Sequence, residues 1–241
     1  MIAARGQPEG DVPVNHKVCR DKVECCELEK SLLQLLGYMT SSRKEEQEKS
    51  VDAIISALDK GLYGYSAELA QRHLQEYPRD DFAWAQLARG LTQLSRYTEA
   101  EEALHNALQY AFKDAHIQAV ISVLRGDVYA RQGQRLQAEE WYRKAVKFKP
   151  DYAGYYVTLG ISTFRRGDLE LAEQIFRQGA ACGGECADES YGNLGGVLVA
   201  QQRYEEAAEC YQKALELTPD YKWVKLRLRD VKKAIQLKSK Q

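Results

Sequence analysis

Apolar residues recur at helical spacing through most of the chain, and Gly or Pro stands between several of the periodic segments. The first clear set comprises Val51, Ile54, Ile55 and Leu58, and the last comprises Val224, Leu228, Val231 and Ile235. Gly61 and Pro78 predict the ends of the first two helices, the second running from Tyr63 to Tyr77. The pattern therefore predicts an all-α chain of consecutive amphipathic helices.

A longer repeat is superimposed on this helical period. The segment YGNLGGVLVAQQRYEEAAECYQKALELTPD at 191–220 has counterparts that begin at residues 155, 124 and 84. Small residues align at Ala88, Gly126, Gly160 and Gly195, with spacings of 38, 34 and 35. An alanine stands 12 residues after each, at Ala100, Ala138, Ala172 and Ala207. Four positions further on, the bulky residues are Leu104, Tyr142, Phe176 and Tyr211.

These positions predict repeated pairs of helices. A small residue allows two helices to approach closely, and the bulky residues fill the space between pairs. One pair cannot bury its apolar face alone, so neighbouring pairs must stack to form a continuous core. The wider spacing after Ala88 predicts about one additional helical turn near residues 111–117.

The repeated pattern resembles the tetratricopeptide repeat (TPR) family over roughly residues 47–221. The resemblance implies an all-α, right-handed superhelix (an α-solenoid) of about five helix-turn-helix repeats with a C-terminal capping helix. We expect the units at about 47–80, 81–118, 119–152, 153–187 and 188–221. The first unit is degenerate, since Ile54 replaces the usual Gly and Ser66 the usual Ala.

Three further segments flank the array. Residues 1–21 are predicted to be disordered, and residues 22–46 to form an N-terminal helix and linker. Residues 222–241 are predicted to form a basic capping helix, because they hold eight Lys and Arg and one acid, a charge of +7. The whole chain carries −1, so residues 1–221 carry −8. A solenoid needs such a polar terminal cap for solubility.

The cysteines leave two interpretations open. Cys182 and Cys186 flank Gly183 and Gly184, whose left-handed backbone is expected to end a helix, with Asp188 as N-cap of the next. The simplest interpretation of this segment is an enlarged turn between two repeats. Weak metal-ligand candidates are His16, Cys19, Cys25 and Cys26, but Cys25 also lies on the apolar stripe of a predicted helix. We predict no metal site and retain a metal- or redox-responsive protein as the alternative.

Other chemistry has little support in the sequence. It contains no GxxxxGK[ST], GxGxxG, HExxH or GxSxG motif, so we expect no enzyme, cofactor or small-molecule substrate. A net charge of −1 argues against a general nucleic-acid binder, although the basic tail is a local exception. No apolar run is long enough to span a membrane, and no hydrophobic signal region begins the chain. Six cysteines without such a signal predict reduced thiols and a cytoplasmic location.

The resemblance implies that the first helix of each unit lines a concave groove that binds protein partners. By repeat phase, the candidate groove residues are Phe82, Gln86, Arg89, Val123, Asp127, Arg131, Val157, Thr158, Ile161, Arg165, Asn193 and Arg227. The clamp with which some TPR domains hold chaperone tails is incomplete, since Val157, Ile161 and Trp223 occupy three of its positions.

We therefore predict a non-catalytic scaffold or adaptor that binds a peptide or helix of a protein partner. An accessory subunit of an enzyme complex is a further alternative, and self-association remains open.

Overall fold

The computed structural model describes residues 43–111 and 114–239. The chain divides into two compact units, Met1–Ser50 and Val51–Gln241. Residues 43–50 of the first unit are helical. The predicted disordered segment and most of the predicted N-terminal helix and linker lie outside the described residues, as do His16, Cys19, Cys25 and Cys26.

In the described part of the second unit, all of the regular secondary structure is helical. Residues 51–59 form helix α1. Ten helices follow it: α2 (Tyr63–Glu76), α3 (Asp81–Gln93), α4 (Tyr97–Tyr110), α5 (Ala115–Arg131), α6 (Arg135–Phe148), α7 (Ala153–Arg166), α8 (Leu169–Cys182), α9 (Ala187–Ala200), α10 (Tyr204–Leu217) and α11 (Lys222–Lys238). None of the described helices is both long and apolar enough to cross a membrane.

Consecutive helices pack against one another from α2 to α11, and the pairs form a stacked α-solenoid. First helices of neighbouring pairs also meet, α3 with α5 and α7 with α9. Helix α5 has 17 residues, whereas α7 and α9 have 14 each, so the wider repeat spacing after Ala88 coincides with a longer helix. Asp114 caps α5 by accepting hydrogen bonds from the amides of His116 and Ile117 at 2.8 and 3.2 Å.

The small and bulky positions of the repeat meet inside each helix pair. The aromatic ring of Phe176 lies directly over Gly160, and that of Tyr211 lies over Gly195. A Cβ atom at either glycine would stand 2.6 Å from a ring carbon, far inside van der Waals contact. Both aromatic side chains are 1% exposed. The glycine is therefore required by close packing, as the repeat pattern predicted.

The degenerate first unit uses different residues for the same contact. Ile54 and Ser66, which replace the usual Gly and Ala, are both fully buried. The Ser66 hydroxyl donates a hydrogen bond of 3.2 Å to the carbonyl oxygen of Ile54. Because this bond satisfies the buried hydroxyl, the substitution is compatible with an apolar interior.

The turn between α8 and α9 differs in one respect from the expectation. Gly183 and Gly184 have φ of +67° and +63°, in the region that favours glycine. However, α9 begins at Ala187 with Cys186 as its N-cap residue, so the predicted Asp188 cap is wrong. Cys186 itself adopts φ of +65°, which starts the helix earlier and leaves Asp188 inside its first turn. The Asp188 carboxylate accepts a 2.6 Å hydrogen bond from Thr218 instead.

Candidate functional site

A cleft of about 600 Å³ opens between α7, α9 and α11 in the C-terminal part of the solenoid. Helices α8 and α10 contribute the aromatic side chains of its inner wall. The lining residues are Ile161, Phe164, Arg165, Phe176, Asn193, Gly196, Val199, Ala200, Tyr204, Tyr211, Trp223, Arg227, Asp230, Val231 and Ala234. A cleft of this size accommodates one or two bulky side chains of a ligand.

Aromatic rings give the cleft its apolar character. Phe176 and Tyr211 are fixed by their contacts with the repeat glycines, whereas Phe164 and Trp223 are 37% and 39% exposed at the opening. The Tyr211 and Trp223 rings meet edge to face, with centroids 6.2 Å apart. Burial raises the pKa of Tyr211 to about 12, so its hydroxyl is neutral at physiological pH. The cleft thus offers a rigid aromatic surface on which the Tyr211 hydroxyl is neutral.

Polar groups lie around this apolar surface. The Arg227 guanidinium lies 5.7 Å from the centre of the Trp223 ring, within the range of a cation–π interaction. The Asn193 amide nitrogen donates to the Glu189 carbonyl at 2.8 Å, which leaves its side-chain oxygen for other donors. Asp230 pairs with Arg229 at 3.6 Å. This arrangement suits binding and contains no paired nucleophile and base.

A second polar patch lies on α3 and α5, toward the N-terminal end of the array. The Tyr142 hydroxyl donates a 2.8 Å hydrogen bond to Asp127, and Arg131 donates one of 2.5 Å to Gln93. Burial raises the pKa of Asp127, although the Tyr142 hydroxyl and the charges of Arg131 and Arg89 act in the opposite direction. Burial and the nearby Asp127 carboxylate raise the pKa of Tyr142 well above its usual range.

The structure separates the predicted groove residues into groups. Those that line the cleft are Ile161, Arg165, Asn193 and Arg227. Those at the second patch are Arg89, Asp127 and Arg131. Gln86 and Val157 are buried, with exposures of 8% and 6%, and Val123 is half-buried against the core. The Thr158 hydroxyl donates to the Gly154 carbonyl at 3.1 Å, and Phe82 is 44% exposed.

Repeat phase does not identify several residues that line the cleft. Tyr204 and Tyr211 belong to the second helix of their pair, which the phase assigns to packing between helices. Phe164 immediately precedes the predicted residue Arg165, so an error of one position in the repeat phase is enough to leave it out of the prediction. Val199 and Ala200 lie beyond the predicted part of α9, near its C-terminal end. The sequence signal that points to Phe164 is an aromatic residue directly beside a predicted groove residue, Arg165.

The described cysteines are free thiols, at positions 182, 186 and 210. The Cys186 sulfur lies 3.8 Å from the Tyr152 hydroxyl, and burial raises the pKa of both Cys182 and Cys210. A raised pKa reduces the thiolate fraction and therefore the reactivity of these two groups. Within 43–111 and 114–239, no group of three or more His, Cys, Asp or Glu side chains is arranged to hold a metal ion.

Comparison with known proteins gives two matches to tetratricopeptide repeat family models, over residues 120–152 and 189–221. Tetratricopeptide repeat protein 7A of Homo sapiens is 28% identical over 152 residues, which is 63% of this chain. The chain spans 17% of the length of that protein and 11% of the related human protein 7B.

Solved structures show the same fold. A thermophilic TPR protein of Thermus thermophilus, TTC0263, superposes with a TM-score of 0.60 at 22% identity, covering 77% of this chain and 98% of the other. YrrB, described as a TPR protein with an unusual peptide-binding site, gives 0.50 at 16% identity, with coverage of 76% and 90%. The repeat positions, the stacked helix pairs and these matches together establish that the chain has the right-handed TPR solenoid fold, with tetratricopeptide repeat models matched at residues 120–152 and 189–221.

Proposed function

We propose that this chain is a non-catalytic cytoplasmic scaffold that binds a peptide or helix of a protein partner in its concave groove. The TPR fold supports protein–protein interaction in general, because stacked repeats present an extended concave surface. The single observation that carries the proposal is the aromatic cleft between α7, α9 and α11, with four predicted groove residues on its lining. The peptide-binding site named for YrrB supports the same type of ligand.

The cleft is suited to an apolar anchor side chain. Burying a Leu or Phe side chain contributes about 1.5–3 kcal/mol, and the rings of Phe176 and Tyr211 are already fixed before binding. Gly196 keeps part of the cleft open, since a Cβ there would find its nearest neighbour, the Tyr211 hydroxyl, at 3.9 Å. Arg165, Asn193 and Arg227 are placed to contact the backbone or polar side chains on either side of the anchor.

The proposal is tested by selecting a displayed library of random peptides against the purified full chain. Gly196→Leu fills the cleft with a side chain, while Gly64→Leu places the same side chain on exposed α2, where no atom lies within 4 Å. We expect the wild-type chain and Gly64→Leu to enrich peptides with a shared bulky apolar position. We expect Gly196→Leu to lose their binding by at least about tenfold in fluorescence anisotropy.

Before the comparison is made, circular dichroism must show both variants to be as helical as the wild type and to unfold at no lower temperature. Enriched peptides that bind Gly196→Leu as tightly as the wild type would rule out the cleft as the anchor site. No enrichment at all would argue against a peptide-binding groove. An accessory subunit of an enzyme complex would give the same enrichment and differ only in the identity of its partner.

A further inference from the structure

Helix α11 presents two chemically different sides. One side, with Trp223 and Arg227, borders the aromatic cleft. The other side, together with α10, borders a separate shallow depression of about 380 Å³, which we term the basic depression. Its lining consists of Leu215, Lys225, Leu228, Arg229, Lys232, Lys233 and Gln236. Four of these seven side chains are cations and none is an acid, so the depression is strongly positive with an apolar component.

Little of this positive charge is neutralised within the described residues. Lys225 pairs with Asp220 at 3.2 Å and Arg229 with Asp230 at 3.6 Å, and all four groups are well exposed. Such exposed pairs contribute only about 0–1 kcal/mol and readily exchange partners. Lys232 and Lys233 form no ion pair within 43–111 and 114–239. Residues 1–221 carry −8 and residues 222–241 carry +7, so the C-terminal segment differs in net charge from the rest of the chain.

We propose that the basic depression is a second docking site, which binds an acidic, leucine-containing segment of a protein partner. Carboxylates of that segment would pair with Lys225, Arg229, Lys232 and Lys233, and its apolar side chains would contact Leu215 and Leu228. Because the two sites lie on different sides of α11, the chain can hold two partner segments at once. This inference does not depend on the concave groove being occupied.

Two observations favour a protein segment over another polyanion. The first is the presence of apolar contacts that phosphate groups cannot use. They are offered by Leu215 and Leu228 within the depression, and by Leu226 and Leu237 elsewhere on α11, which are 46% and 67% exposed. The other wall, α10, exposes four carboxylates, those of Glu205, Glu206, Glu209 and Glu216, against one lysine, Lys213. These acids limit the positive surface to about the width of one helix, which disfavours a broad polyanionic surface such as a membrane or duplex.

The experiment uses the full chain and fluorescein-labelled peptides of defined pattern. The probe is a peptide of repeated Glu-Leu-Glu-Glu units, and the control peptide replaces each Leu with Ser. The test variant is Lys225→Glu/Lys232→Glu, at two exposed positions on α11. The matched control is Lys144→Glu/Lys147→Glu, the same charge change on exposed positions of α6. Anisotropy is measured at low and at physiological salt, with Gly196→Leu included to report on the cleft.

We expect the Glu-Leu peptide to bind the wild type and to lose at least about tenfold in affinity for the α11 variant. The α6 variant and Gly196→Leu should bind as the wild type does, and the Glu-Ser peptide should bind several-fold more weakly. Equal binding of the Glu-Ser peptide, single-stranded DNA or anionic vesicles would overturn the proposal, as would no binding or binding insensitive to the α11 charges. Concentration-dependent dimerisation lost in the α11 variant would overturn it too, by identifying a second copy as the occupant. Failure here with success in the peptide selection would leave the groove function intact.

Discussion

Two adjacent glycines of α9 allow a sharp test of the repeat packing. Replacing either Gly195 or Gly196 with Ala gains the same helix propensity, about 1 kcal/mol. A Cβ at Gly195 would lie 2.6, 2.8 and 2.9 Å from three carbons of the Tyr211 ring. A Cβ at Gly196 would have its nearest neighbour, the Tyr211 hydroxyl, at 3.9 Å. The two variants therefore differ almost entirely in the steric contact with Tyr211.

The magnitude follows from the confinement of that ring. Carbon atoms in contact normally stay about 3.5–4.0 Å apart, so the Tyr211 ring must move by about 1 Å to accept the new methyl group. Tyr211 lines the cleft, but it is only 1% exposed and packs in the same cluster as Leu194 and Leu198, so neighbouring side chains restrict the movement of its ring. Overpacking of this kind costs about 1–3 kcal/mol. We expect Gly195→Ala to be less stable than Gly196→Ala by about 1–3 kcal/mol, since the propensity gain cancels.

The free energy of unfolding of both variants is measured by urea titration followed by far-ultraviolet circular dichroism. Because repeat arrays can unfold in stages, hydrogen exchange at α9 and α10 amides provides the local value. Ala88 and Leu104 occupy the same two repeat positions in the second unit, and both are fully buried. Tyr211→Leu should therefore recover part of the loss in the Gly195→Ala background. Equal stability of the two single variants would refute the packing argument.

Further substitutions test other features of the array. Gly183→Ala should lower the free energy of unfolding by about 1–3 kcal/mol, because φ of +67° with ψ of −166° is essentially confined to glycine. Gly64→Ala, in an open helical position, should raise the free energy of unfolding slightly, and urea titration compares the two variants. Arg166→Leu should lower the free energy of unfolding, because Glu139, which is 1% exposed, would keep Arg143 as its one ion-pair partner among the described residues. A smaller loss in Glu139→Gln/Arg166→Leu in the same urea titration would support this cause. Asp127→Asn should raise the melting temperature at pH 7 but not in acid. The folded-state pKa of Asp127 is raised, so the wild type loses stability as the pH rises from the ordinary Asp pKa of about 3.9 through the folded-state pKa. A difference in melting temperature that stays constant across a pH series would contradict this.

Local chemistry explains why the sequence predicted so much of the fold. The contact between Gly160 and Phe176 joins residues 16 positions apart, within one helix pair, so the constraint recurs at a fixed interval that can be read along the chain. The residue at which a helix begins was harder to predict from the sequence where it depends on the backbone conformation of a single residue. Cys186 adopts a left-handed conformation that its residue type does not favour, and this moved the start of α9 away from the expected Asp188 cap.

The candidate site depended more on tertiary structure. Sequence phase suggested Ile161, Arg165, Asn193 and Arg227 one helix at a time, and the stacking of α7, α9 and α11 brings them to one cleft. The same stacking buries Val157, which has an equivalent phase in the sequence. Tyr204 and Tyr211 reach the cleft from α10 because two layers of helices meet there.

The sequence by itself thus determined the helix periodicity, the repeat and the positive charge of the last helix, because each arises from residues close together along the chain. The tertiary structure decided which side chains share a surface, namely the aromatic cleft on one side of α11 and the basic depression on the other. Those surfaces join residues from several helices, and their geometry follows from the packing angles and distances between helices, which no local pattern encodes.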